Sequence, residues 1–183
     1  MINIEIIPNL HPIFVHFTVA LLLISALLFL AGFLYKNQKY SELIYNSAYV
    51  NLWLGFIITI ITIIMGFYAY YTVAHDGPSH VAMTDHRNWA LITFATFAIL
   101  FIWSIINYRN KSHKNTLFIL SLLFASGLLL TTAYKGGEVV YRYGIGVKSL
   151  PEIHGNGGHA SHSHGDEKIE KRPTHHDHSK HKH

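Results

Sequence analysis

Apolar residues in this chain come in four long blocks separated by short polar stretches. The blocks cover roughly residues 12–35, 47–74, 88–108 and 115–134, and none contains Asp, Glu, Lys or Arg. A helix needs about 20 consecutive apolar residues to cross a hydrocarbon layer about 30 Å thick, so each block predicts a membrane span. Tyr45, Tyr49, Trp53, Tyr70, Tyr71, Trp89, Trp103, Tyr108 and Tyr134 lie near block ends, where amphipathic rings favour the headgroup region. The connections are short, so successive helices are expected to run antiparallel and form a bundle. The fold expected is all-α: an integral membrane four-helix bundle within residues 1–150, a short interfacial C-terminal segment, and a disordered His-rich tail over residues 151–183.

Composition agrees. Half the 183 residues are hydrophobic and 13% are charged, against about 25% charged in a soluble globule. The first block is too long for a signal-peptide core and is expected to remain as the first span. Lys36 and Lys39 follow the first block, and Arg109, Lys111 and Lys114 join the third to the fourth. By the positive-inside rule these loops face the cytoplasm. Both termini and the loop between spans two and three are then outside, although Arg87, Lys135, Arg142 and Lys148 pull the other way. The net charge of +4 is mild, and the tail mixes its bases with acids, so nucleic acid is not an expected partner.

Cysteine is absent and histidine occurs 15 times. Thiolate metal sites and C-x-x-C-H haem attachment are therefore excluded, and any metal or haem must be held by nitrogen or oxygen. The histidines are one-sided: His11 and His16 open the first span, His75 and His80 close the second, and His86 opens the third. With antiparallel helices these ends share one membrane face, and only His113 outside the tail falls on the other. Pro12 suits the first helical position. His11 and His16 are about 140° apart around a helix, so they do not form the pair that binds one zinc ion from a single helix face.

The candidate cofactor ligands are His11, His16, His75 and His86. His16 and His86 carry most weight, because ionisable groups at or within the apolar zone are costly. Gly66 and Gly127 lie roughly 10–12 Å below the same face, where small residues admit a flat cofactor such as haem b or simply let helices pack. Asp76 and Asp85 are available to orient an imidazole. Asp85 equally suits the N-cap of a third helix starting near Arg87. Gly136-Gly137 is expected to stop the fourth helix, after which Glu138 and Arg142 have the spacing of an ion pair on a short interfacial helix. Anchored by Tyr141 and Tyr143, that helix serves either as a lid on the histidines or as a plain exit linker.

From His154 the chain becomes rich in His, Gly, Ser and charge. Its nine histidines, His154, His159, His162, His164, His175, His176, His178, His181 and His183, are candidate ligands for Zn, Ni or Cu(II). They also make the tail's charge responsive to mild acid. No internal repeat is evident, and there is no phosphate-binding glycine loop, G-x-S-x-G elbow or H-E-x-x-H motif.

LHPIFVHF (10–17), DHRNWA (85–90) and GGEVVYRYGIGV (136–147) together resemble the bacterial predicted membrane proteins catalogued as domain of unknown function 2231, whose members open with His-Pro-x-x-x-His-Phe. The likeness covers about residues 10–148, and His11, His16 and His86 match. Thr18 and Val19 stand where that family often has a Phe-Pro-Ile run, which implies a different entry geometry. The resemblance implies four helices, a bacterial cytoplasmic-membrane location and cofactor or redox association.

Three functions remain open. One is a bis-histidine haem b protein passing electrons between membrane quinone and a redox partner protein on the outer side. The second is a Zn, Ni or Cu(II) handling protein. The third is a structural subunit without cofactor. Nothing marks a stand-alone enzyme, and the spans lack the midplane ionisable groups of a transporter.

Overall fold

The structure is a computed structural model that describes residues 10–35 and 38–147. The nine tail histidines lie outside the described residues, as do Lys36 and Lys148. Four helices make up the fold: α1 (His11–Leu34), α2 (Gln38–Thr72), α3 (Gly77–Arg109) and α4 (Thr116–Tyr141). Each is long and apolar enough to cross a membrane.

Three of the helices outrun the apolar blocks that predict them. Helix α3 starts at Gly77 because Asp76, and not Asp85, is its N-cap. The Asp76 carboxylate accepts from the Ser79 backbone N–H while the Ser79 hydroxyl accepts from the Asp76 backbone N–H. The Ser79 hydrogen bonds hold the Asp76 carboxyl below its usual range. Asp85 instead lies within α3 and pairs with Lys135 of α4 at 2.6 Å. Helix α4 runs straight through Gly136-Gly137, since glycine costs a helix only about 1 kcal/mol per residue. The Glu138–Arg142 pair forms at 2.7 Å on its last turns. The separate interfacial helix is thus the end of α4, and the chain turns away at Gly144, whose φ of +64° suits glycine.

Helix α1 packs on α2 and α3 on α4, with smaller contacts between α1 and α4 and between α2 and α3. The bundle is therefore square, with α1 and α3 on one diagonal. Leu22, Phe29, Tyr45, Tyr49, Leu52, Phe97, Phe118 and Leu122 form its centre. Ile24, Leu27, Ile57, Ile99, Ile102, Leu120 and Phe124 face outward. Lipid tails are as apolar as leucine, so such a surface is at no disadvantage in a bilayer.

The two helical hairpins repeat one another. Thr18, Leu22, Ser25, Phe29 and Gly32 of α1 are buried, and so are Thr93, Phe97, Leu100, Ser104 and Asn107 of α3, each 75 positions later. The alternation of buried and exposed positions over residues 48–65 recurs without a change over residues 118–135, an offset of 70. The offsets differ because α2 begins at Gln38, well before Asn46, the position equivalent to the start of α4, which outweighs the shorter connection of the first hairpin. Identity is sparse: His11/His86, Thr18/Thr93, Ala20/Ala95 and Ile24/Ile99 match between α1 and α3, and Leu52/Leu122, Thr62/Thr132, Gly66/Gly136 and Tyr71/Tyr141 between α2 and α4. Because each repeat contains two helices, the two copies share one orientation. Their pseudo-two-fold axis runs along the membrane normal, as in parallel-repeat membrane proteins.

Candidate paired-histidine site

Half of the shared residues build one arrangement twice. The His11 ring donates through Nδ1 to the carbonyl of Thr62 at 3.0 Å, and the His86 ring does the same to Thr132 at 3.1 Å. A carbonyl can only accept, so in both rings Nδ1 carries the proton and Nε2 is the nitrogen on the far side of the ring. One helical turn beyond each threonine lies a glycine, and a Cβ added at Gly66 or Gly136 would come within 3.0 Å of the imidazole. The carbonyl of residue i points toward residue i+4. A side chain at that position would block the ring from its acceptor, and glycine leaves the way open.

A second layer of threonines holds each hairpin together beneath the imidazole. Thr62 Oγ donates to the Ile58 carbonyl and accepts from Thr18 Oγ at 2.8 Å; Thr132 Oγ donates to Leu128 and accepts from Thr93 at 2.8 Å. Hydrogen bonds between membrane helices average about 0.6 kcal/mol, with a maximum near 1.7. Thr93→Val is therefore expected to cost about 1 kcal/mol, read as a small fall in melting temperature of the detergent-solubilised protein. A fall as large as that from a core truncation would contradict this role.

The pseudo-two-fold axis brings the copies together. The His11 and His86 rings approach across the α1–α3 diagonal with centroids 6.3 Å apart and planes inclined at 69°. Both are partly buried. Of the four cofactor ligands expected from sequence, these two converge. His16 lies on the exposed side of α1, its Nδ1 bonded to the Pro12 carbonyl of its own helix. His75 sits in the α2–α3 loop, where Nδ1 donates to the Val73 carbonyl and Nε2 lies 2.9 Å from Nδ1 of a stacked His80. Gly66 abuts His11 as a cofactor slot needs, whereas Gly127 points away from the bundle with nothing near its Cβ position. Its place opposite Gly66 is taken by Gly136. His113 stands at the other membrane face, stacked on Tyr45, and burial holds it below its ordinary range.

Sequence reasoning missed Thr18, Thr62, Thr93, Thr132 and Gly136. The detectable signal was a repeated spacing, His-x6-Thr at offset 75 and Thr-x3-Gly at offset 70. The rim around the pair is not repeated. The α3–α4 hairpin carries Asp85, Arg87 and Lys135 where the α1–α2 hairpin has Leu10, Pro12 and Met65.

Fold and site together define a four-helix membrane protein built from two hairpins, with a pair of imidazoles on the axis between them near one membrane face. The chain belongs to the predicted membrane protein family DUF2231, whose model matches residues 7–149. No curated protein and no solved structure matches it.

Proposed function

We propose that this protein is a membrane-embedded b-type cytochrome in which His11 and His86 would hold the haem. The observation that carries this reading is the duplicated imidazole, set at 6.3 Å from its counterpart. A first-row metal bonded to an imidazole nitrogen at about 2.0–2.1 Å lies roughly 3.1 Å from the ring centre, so two rings ligating one metal from opposite sides have centres about 6.2 Å apart. The donor set also fits. Two protein nitrogens leave a bare zinc ion short of its usual complement, whereas haem brings four nitrogens of its own and takes two axial ligands. The Nδ1–H bonds to Thr62 and Thr132 fix the tautomer that presents Nε2 and make each imidazole a better donor. Gly66 and Gly136 leave over α2 and α4 the space that the two imidazoles fill.

Haem bound there supplies a reversible one-electron couple. The chain's part is to hold the couple near one membrane face and set its potential. With the histidine face outside, quinol in the bilayer is the electron donor and a protein on the outer side the acceptor.

The test is an optical spectrum of the full chain, purified in detergent from haem-sufficient cells, before and after dithionite. A Soret band and a reduced α band are expected, each abolished by His11→Ala and by His86→Ala but kept in His16→Ala and His75→Ala. A colourless protein sinks the reading.

One observation favours a second function, metal handling: the His75–His80 contact brings two imidazoles together as a surface pair that suits Zn, Ni or Cu(II). Copper titration of the full chain tests it, with His75→Ala and His80→Ala each expected to lower the stoichiometry by one ion.

A further inference from the structure

The two hairpins match in the residues that hold the imidazoles and differ in charge around them. At the His11–His86 level the α1–α2 hairpin carries Leu10 and Met65; the equivalent positions of the α3–α4 hairpin hold the Asp85–Lys135 ion pair. The seams between hairpins differ too. Position 12 of α1 and position 140 of α4 are Pro and Val, while their equivalents at the α2–α3 seam are Arg87 and Tyr70. Every Lys and Arg of the described part of this end lies on the α3–α4 hairpin: Lys135 is matched by Asp85, Arg142 by Glu138, and Arg87 has no carboxylate partner among the described residues.

Arg87 is held in place without being satisfied. Its guanidinium lies 4.9 Å over the Tyr70 ring, and the Tyr70 hydroxyl is fixed by Thr84 at 2.9 Å. One terminal nitrogen reaches only the neighbouring Asn88 side chain at 3.2 Å, and the buried Nε has no hydrogen-bond partner. A buried guanidinium nitrogen left so costs free energy that an anionic acceptor would recover. Tyr70 is four residues beyond Gly66, one turn or about 6 Å nearer the membrane face than the imidazole layer. An anchored cation therefore stands next to His86 on α3, at one of two seams that symmetry makes equivalent.

Resting on the haem reading above, we infer that Arg87 receives a carboxylate of the haem and so sets which way round the cofactor lies between two otherwise equivalent ligands. Arg87 is here a binding residue for the cofactor's edge; the iron stays with the histidines. A lipid phosphate is the other anion available at this depth, and the choice of probe separates the two.

The full chain, stripped of cofactor, is titrated with haem b and with haem b dimethyl ester, whose carboxylates carry no charge. With haem b, Arg87→Gln is expected to bind about tenfold or more weakly, the size of one charge-assisted bond, and to lower the midpoint potential because a cation near the iron disfavours the ferric state. Arg87→Lys restores most of both, which excludes misfolding as the cause. With the dimethyl ester, wild type and Arg87→Gln bind alike. Equal binding of haem b by wild type and Arg87→Gln overturns the inference, with Arg87 then serving lipid phosphate or none. Equal weakening for both haems overturns it too, because Arg87 would then be only structural. Absence of any Soret change in the wild type overturns the haem reading itself and is distinguishable from both.

Discussion

On the proposed haem reading, Gly136→Val is expected to abolish haem binding, and Gly136→Ala to preserve most of it. The Cβ of alanine at 136 would lie 3.0 Å from Cε1 and 3.4 Å from Nδ1 of His86, so the imidazole must give by a few tenths of an ångström. Alanine gains about 1 kcal/mol over glycine in a helix interior, which offsets most of that strain. Valine places two further methyl groups where the ring now lies. Overpacking of this kind costs about 1–3 kcal/mol, and the ring is driven off the Thr132 carbonyl that orients it. Gly66→Val should act identically on His11, where the distances are 3.0 Å to Cε1 and 3.2 Å to Nδ1. Gly127→Val, on the outward face, should leave the spectrum untouched. The measurement is Soret absorbance per mole of protein alongside the far-ultraviolet helix signal. A full Soret band in folded Gly136→Val would show that the glycines do not serve the imidazoles.

Four spans were legible in the sequence because a bilayer permits so few alternatives: blocks such as 12–35 without a charge have nowhere else to go. Which face of each helix points inward was not legible. In a soluble bundle the polar side reports the outside, but here Ile24, Leu27 and Phe124 face lipid while Leu22, Phe29 and Leu122 fill the core, and both sets are apolar. His11 and His16 illustrate the difficulty. Both open α1, about 140° apart, and only the packing of α2 shows that one imidazole reaches Thr62 while the other turns back on Pro12. The repeat was hidden for the same reason, since Leu22/Phe97 and Gly55/Ala125 are interchangeable to lipid and to packing alike. What survived are the His, Thr and Gly residues, whose roles depend on direction. Two helices run past their expected boundaries, α3 past an N-cap at Asp85 and α4 past a stop at Gly136-Gly137. Asp85 and Lys135 neutralise one another across α3 and α4, so neither ends its helix.

The repeat is best kept at the histidine end and weakest at the other, where Phe29 of α1 corresponds to Ser104 of α3. Ser104 accepts from the Trp53 indole at 2.8 Å and donates to the Phe101 carbonyl. Phe29, by contrast, is wholly buried and packs edge-on against Tyr49 at 4.8 Å and Phe118 at 5.2 Å, with Tyr45 at 6.0 Å. It thereby joins three helices. Phe29→Ala is expected to destabilise the protein by about 3 kcal/mol. The transfer term that adds to such a loss in water is absent here, because lipid is no less apolar than the core; the lost contacts and the cavity remain, within the roughly 3–5 kcal/mol seen for Phe→Ala. At about 2–4 °C per kcal/mol for a chain of this size, the melting temperature in detergent should fall by roughly 6–12 °C. Phe124→Ala, whose ring is 68% exposed to lipid, should shift it little. Below its melting point Phe29→Ala should still show an unaltered haem spectrum, because Phe29 stands 18 residues from His11 on α1, about 27 Å along the helix. A spectrum altered in the folded variant would mean that the aromatic cluster holds the hairpins in register at the imidazole level. Melting unchanged by Phe29→Ala would mean that the hairpins are joined by the histidine end alone.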